Sequence, residues 1–137
     1  MITHISYAIH TSSLKVYALV CELLAAICIV SPVDGHKAIL SAFSDFRVAY
    51  DENFRFEMIL SSLDLPDLNS NDSTTGFSDD EGGIWEARIA AMALVNAITN
   101  CPDNLEDRTV LREEFSRRGL NERIVVCHFC QNLTDNQ

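Results

Sequence analysis

The residues best suited by type and spacing to chemistry are Cys127 and Cys130, a CxxC with His128 between them. Such a pair can supply two thiolate ligands to zinc or cycle between dithiol and disulfide. A structural zinc site needs four ligands, however, and usually takes them as two close pairs. The nearest other sulfur in sequence is the isolated Cys101, so the pair reads as two cysteines in an apolar terminal segment, with metal or redox use as the rarer alternative. Asp79, Asp80 and Glu81 form the densest carboxylate cluster. They lack the glycine and ligand spacing of a calcium loop and read as a solvated acidic loop.

Other catalytic patterns are missing. The sequence has no GxxxxGK[ST] phosphate loop, GxGxxG, HExxH or GxSxG. His4, His10, His36 and His128 are scattered and do not fall with a cysteine and an acid in a nucleophile–base arrangement. No catalytic residue, metal ligand or cofactor is assigned, and the chain is expected not to be an enzyme.

A binding role fits the composition better. The 137 residues are 47% hydrophobic, enough for one domain with its own core, and carry a formal charge of −10. That charge disfavours nucleic acid and anionic membrane, which reward clustered Lys and Arg, and favours a basic protein partner. The acidity is concentrated, since no Lys or Arg occurs between Arg55 and Arg88 while Asp64, Asp67, Asp72, Asp79, Asp80, Glu81 and Glu86 do. Cys21 and Cys28, seven apart in an apolar helical run, have the look of buried free thiols in a reducing compartment, and the cytoplasm is the expected location. The apolar run Val16–Val30 is too short to span a bilayer and contains Glu22, so no membrane span is expected.

The elements that must position a binding surface are all helices. Leu14 to Ser31 is apolar around most of the helix circumference, which predicts a buried helix ended by Pro32. Asp34 is placed to cap a second helix carrying Ile39, Phe43, Phe46 and Tyr50 on one face. Asn53 is placed to open a short third helix through Phe54, Met58, Ile59 and Leu63. Residues 64–83, rich in Asp, Ser, Asn, Thr and Gly, form an acidic insertion expected to stay disordered.

A fourth helix is expected from Ile84 to Asn100, where Trp85, Ile89, Met92, Leu94, Val95 and Ile98 alternate with alanines, and burial of Trp85 is favoured over a partner-facing role. The fifth has a capping box of Asp103 and Glu106 at its start and Gly119 as a left-handed cap, with Phe115 and Leu120 placed to touch across it. Glu113/Arg117 and Glu114/Arg118 form two i,i+4 pairs on its wet side. ERIVVCHFCQNL remains open between helix and strand. The fold class is all-α, and helices alternating in length suit an α-solenoid of two- or three-helix repeats, or an irregular bundle.

Three blocks carry a family resemblance: LVCELLAAICIVSPVDGHKAILSAF, FRFEMILSSL and WEARIAAMALVNAITNCPDNLEDRTVLREEFSRRGL. Across residues 14–126 they resemble the formin homology 3 region, the armadillo-like Diaphanous inhibitory domain, and are most similar to fungal cytokinesis formins. The segments 1–13 and 127–137 have no counterpart in that resemblance. The fold it implies is an armadillo-like α-solenoid fragment of about two repeats. No proline-rich FH1 stretch or actin-nucleating FH2 domain occurs in the 137 residues, so actin is expected to be reached only indirectly.

The resemblance further implies autoinhibition, in which the concave face of the repeats binds the formin C-terminal autoregulatory segment, an amphipathic helix with basic residues. A GTP-loaded Rho-family GTPase competes that segment away, and actin assembly is the regulated output. In armadillo repeats an Asn on the last helix lines the concavity. The corresponding residue is Asn96, which places Arg88, Met92, Ala93 and Thr99 on or near its face. The matching position on the earlier helix is Cys28, flanked by Leu24 and Ala25. A scaffold fragment with no independent activity is the alternative.

Overall fold

Several helices among the described residues open on a side chain that accepts from a first-turn amide. The computed structural model describes residues 2–64 and 81–125, and among these there is no strand. The helices are α1 (Ile2–Tyr7), α2 (Leu14–Val30), α3 (Asp34–Ala49), α4 (Glu57–Ser61), α5 (Glu81–Asn100), α6 (Leu105–Arg117) and a final α7 over 120–125. The all-α expectation holds, and the arrangement is that of an armadillo-like fragment.

Local chemistry sets the boundaries, often one or two residues from where the sequence alone puts them. Ser13 opens α2, its Oγ accepting from the Val16 amide at 3.3 Å. The cap of α3 comes from Ser31, whose Oγ accepts from the Gly35 amide at 3.0 Å, while Asp34 is the first helical residue. Asn104, and not Asp103, caps α6, its Oδ1 accepting from the Glu106 amide at 2.8 Å. Gly119 ends that turn at φ +90°, the left-handed conformation expected of it, with Phe115 and Leu120 both buried in the core.

Three larger differences have tertiary causes. The segment 1–13 contains α1, which packs on α3 through Tyr7, edge-on to Phe46 and Tyr50, and through the His10 ring stacked on Tyr50 at 4.3 Å. Asn53 does not open α4. Its amide and side-chain nitrogens instead donate to the Glu57 carboxylate, and Phe56 precedes the helix at φ 73°. That left-handed phenylalanine is held by the core, where its ring stacks on Phe115 at 4.8 Å and meets Phe43 at 5.0 Å.

The third concerns the acidic insertion, since α5 already begins at Glu81, so 81–83 belong to the helix. Residues 65–80 lie outside the described residues, as do Cys127 and Cys130. Asp64 is fixed, its carboxylate accepting from Arg123 Nε at 2.6 Å and its carbonyl from Arg88 Nη2 at 2.8 Å.

The centre of the fold is the contact between α2 and α5, the most extensive between any two helices among the described residues. Small residues allow the close approach: Ala18, Cys21, Ala25 and Cys28 from α2, with Ala87, Ala90 and Ala91 from α5, are all buried. Phe43, Phe46, Phe56 and Phe115 fill the layer behind them, supplied by α3, α4's approach and α6. His36 ties the layers together: Nε2 donates to the Ile98 carbonyl at 2.8 Å, since a carbonyl can only accept. Arg55 links the α4 segment to α6 by a two-point ion pair with Glu114, at 3.0 and 2.6 Å. Glu114 is thereby drawn away from Arg118, whose guanidinium lies over Phe54. No ion pair joins Glu113 to Arg117 among the described residues.

Candidate functional site

Because α2 and α5 lie side by side, each gives one flank to the core and one to solvent. The exposed flank of α2 is not polar. Val16, Leu19, Leu23, Ala26 and Val30 follow one another at steps of three and four and are all exposed, Leu19 at 59% and Val30 at 83%. That is the a/d spacing of a helix seam awaiting another helix. The expectation that α2 is buried all round is therefore corrected: it carries an exposed apolar stripe that no other described residue covers. On α5 the outward row is Glu86, Ile89, Ala93, Asn96 and Asn100, again all exposed.

Towards the C-terminal ends of the two helices lies a depression of about 440 Å³ lined by Ile29, Ala93, Asn96, Ala97 and Asn100 together with Pro32, Cys101 and Asp103. The Cys101 thiol donates to the Cys28 carbonyl at 2.7 Å and so joins the end of α5 to the last turn of α2. Charge on this face is sparse. Glu22 and Glu86 are exposed, Lys15 lies at the start of α2, and the one base of α5, Arg88, is buried.

The eight residues assigned to a concave face from sequence divide accordingly. Asn96 and Ala93 are exposed and line the depression, and Met92 is half-buried against the core. Leu24, Ala25 and Cys28 point inward, with Leu24 and Cys28 at 0% exposure, and belong to the α2–α5 contact instead of a partner surface. Thr99 is buried with Oγ1 donating to the Val95 carbonyl at 2.9 Å. Arg88 is buried, donates to Asp64, and sits 5.1 Å from the half-buried ring of Trp85.

The α2 half of the assignment is thus turned by about one residue. Matching Cys28 to Asn96 selects the inward side, whereas Leu19, Leu23, Ala26 and Val30 face out. The signal that finds them is in the sequence, as the 3-4-3-4 spacing from Val16 to Val30.

Burial pushes the Cys21 thiol up to about 11 and the Cys28 thiol up to about 12, so both stay protonated at neutral pH. Among the described residues no three metal-ligating groups converge, and no helix is long and apolar enough to cross a membrane. What the arrangement offers is an exposed apolar surface on a chain of net charge −10.

The profile of the Diaphanous FH3 Domain matches residues 36–135. The chain is 34% identical over 133 residues, 95% of its length, to disheveled-associated activator of morphogenesis 2 of Gallus gallus. It is 35% identical over 105 residues, 77% of its length, to formin-F of Dictyostelium discoideum, and 29% identical over 121 residues, 88% of its length, to human formin-like protein 2. These alignments cover 11%, 8% and 10% of the respective relatives, so the chain spans about a tenth of their length.

Proposed function

The chain belongs to the Diaphanous FH3 family of formins, and from that premise we propose that it is a regulatory module whose α2–α5 face captures an amphipathic, basic helix. The observation that carries this reading is the exposed apolar seam Val16–Leu19–Leu23–Ala26–Val30 beside Ile89 and Ala93 of α5, on a chain of net charge −10. A helix in this groove buries its own apolar stripe against the seam, while its basic flank is drawn to the acidic surroundings.

The occupant is the C-terminal autoregulatory segment of a formin. A GTP-loaded Rho-family GTPase then opposes that contact, and the output is control of actin assembly by parts of the formin outside this chain, at the cytoskeleton. A second reading draws on the same seam, because a/d spacing also suits lateral stacking of a further repeat helix, as in a scaffold.

Fluorescence anisotropy with a labelled formin autoregulatory peptide tests the first reading. The unmodified chain binds, binding weakens as salt rises, and Leu23→Glu lowers affinity at least about tenfold, equivalent to about 1.4 kcal/mol. A folded Leu23→Glu variant that binds as tightly as the parent removes this face as the site. Salt-insensitive binding removes the charge steering.

A further inference from the structure

A second groove lies between α3 and α6, adjoining the first at Pro32, Cys101 and Asp103. It holds about 590 Å³, room for a few residues of peptide, and no other segment among the described residues fills it. Its floor is Leu111, buried beneath the half-buried Leu40, and Val33 and Val110 stand exposed along its margins. Apolar side chains of this size do not gain by facing water from both walls of a trough.

The charges around it are ordered. Asp103 and Asp107 are exposed one helical turn apart on the α6 side, and no ion pair engages either among the described residues. Lys37 is the exposed base of the opposite wall. Arg55 also lines the groove, but its guanidinium is committed to Glu114. Arg108, which follows Asp107, is not itself a lining residue and donates to the carbonyls of Pro102 and Asp103, both at 2.8 Å. Neither carboxylate is engaged in an ion pair among the described residues, and the cation lining the groove that is not itself paired is Lys37 across from them.

We propose that the α3–α6 groove is a second protein-docking site, taking a short peptide segment of another protein that seats a large apolar side chain on Leu40, Val110 and Leu111 and sets a Lys or Arg against Asp103 and Asp107. The overall charge of −10 favours approach of a basic segment and disfavours an acidic one. This site adjoins the α2–α5 depression but has walls of its own. The two depressions share only Pro32, Cys101 and Asp103, so Lys37, Leu40, Asp107 and Val110 report on this groove alone.

The test is an NMR titration of the ¹⁵N-labelled full chain with two amidated hexapeptides, one alternating leucine and arginine and one alternating leucine and glutamate. The leucine–arginine peptide is expected to shift the amides of Val33, Lys37, Leu40, Asp107 and Val110. The leucine–glutamate peptide should leave them unmoved at equal concentration. Asp107→Arg, on the exposed first turn of α6, should weaken the leucine–arginine peptide about fivefold, as expected for loss and reversal of an exposed ion pair. Val110→Glu should abolish the shifts while the remainder of the spectrum is retained.

Equal binding of both peptides, shifts confined to α2 and α5, or no shift at millimolar peptide would each overturn the proposal. Failure here leaves the α2–α5 reading intact, because neither Asp107 nor Val110 touches that face.

Discussion

Replacing Leu23 and Leu24 by alanine, one at a time, separates the two sides of α2. Leu24 is at 0% exposure within the α2–α5 contact, whereas Leu23 is 47% exposed on the outward seam. Removing a fully buried leucine loses its transfer free energy and leaves a cavity, which costs about 3 kcal/mol, within a range of about 2–5 kcal/mol. At Leu23 about half of the side chain is already in water, so the loss is about 1 kcal/mol or less. For 137 residues, each kcal/mol moves the melting temperature by roughly 3–4 °C, which gives a fall of roughly 10 °C for Leu24→Ala and roughly 3 °C for Leu23→Ala. Thermal unfolding followed by circular dichroism at 222 nm, with urea titration as a second measure, reads both. Equal falls, or a larger fall at Leu23, would refute the assignment of inward and outward sides on which the functional reading rests.

Other expectations follow from single contacts. A double-mutant cycle of Arg55→Ala and Glu114→Ala should return a coupling of about 1 kcal/mol, the upper end for an accessible pair, because the contact is two-point and half-buried. A coupling near zero by urea unfolding would show that the pair is ornamental. Gly35→Ala should destabilise by about 1–3 kcal/mol, since an added Cβ would lie 2.9 Å from the Ile27 carbonyl and 2.8 Å from Ser31 Cβ, atoms that cannot swing aside; a neutral result would mean that α3 and the end of α2 are farther apart.

Glu52 gives a pH dependence. Burial holds its carboxyl above the usual range against the opposing Met58 amide, with Glu57 adding to the rise, and Oε1 is buried without a partner. A raised carboxyl favours the folded state when protonated, and that contribution is lost as pH rises through the folded value. Glu52→Gln should therefore gain stability relative to the parent near neutral pH, and the gain should shrink as pH falls below the ordinary carboxylate range. A difference independent of pH would contradict this origin.

Much of this fold is legible in the sequence because it rests on local rules. Proline and glycine punctuation, apolar periodicity on α3 and α5, and the left-handed need at Gly119 depend on neighbours within a turn or two. Asn96, which the family resemblance singles out, is exposed on α5 opposite the buried alanines. What fails depends on distant partners. α1 is only 6 residues long and is held by Tyr7 and His10 against Phe46 and Tyr50, contacts that no local pattern announces. Phe56 adopts φ 73° because its ring is clasped by Phe43 and Phe115, overriding a preference any sequence rule would apply.

The seam of α2 illustrates a different difficulty. A helix apolar nearly all round reads as buried, yet the same composition serves a helix with one side in the core and the other kept for a partner. The distinction lies in what stands opposite, which composition does not encode. The heptad spacing marks the outward row, but only the position of α5 identifies it as outward.

Methyl NMR on the chain with labelled leucine and isoleucine side chains bears most directly on the central claim. On addition of a formin autoregulatory peptide, the methyl signals of Leu19, Leu23, Ile29 and Ile89 should shift or broaden saturably, while those of Leu24 and Ile98 in the core stay in place. Saturable binding that leaves Leu19, Leu23 and Ile89 unmoved would contradict the account.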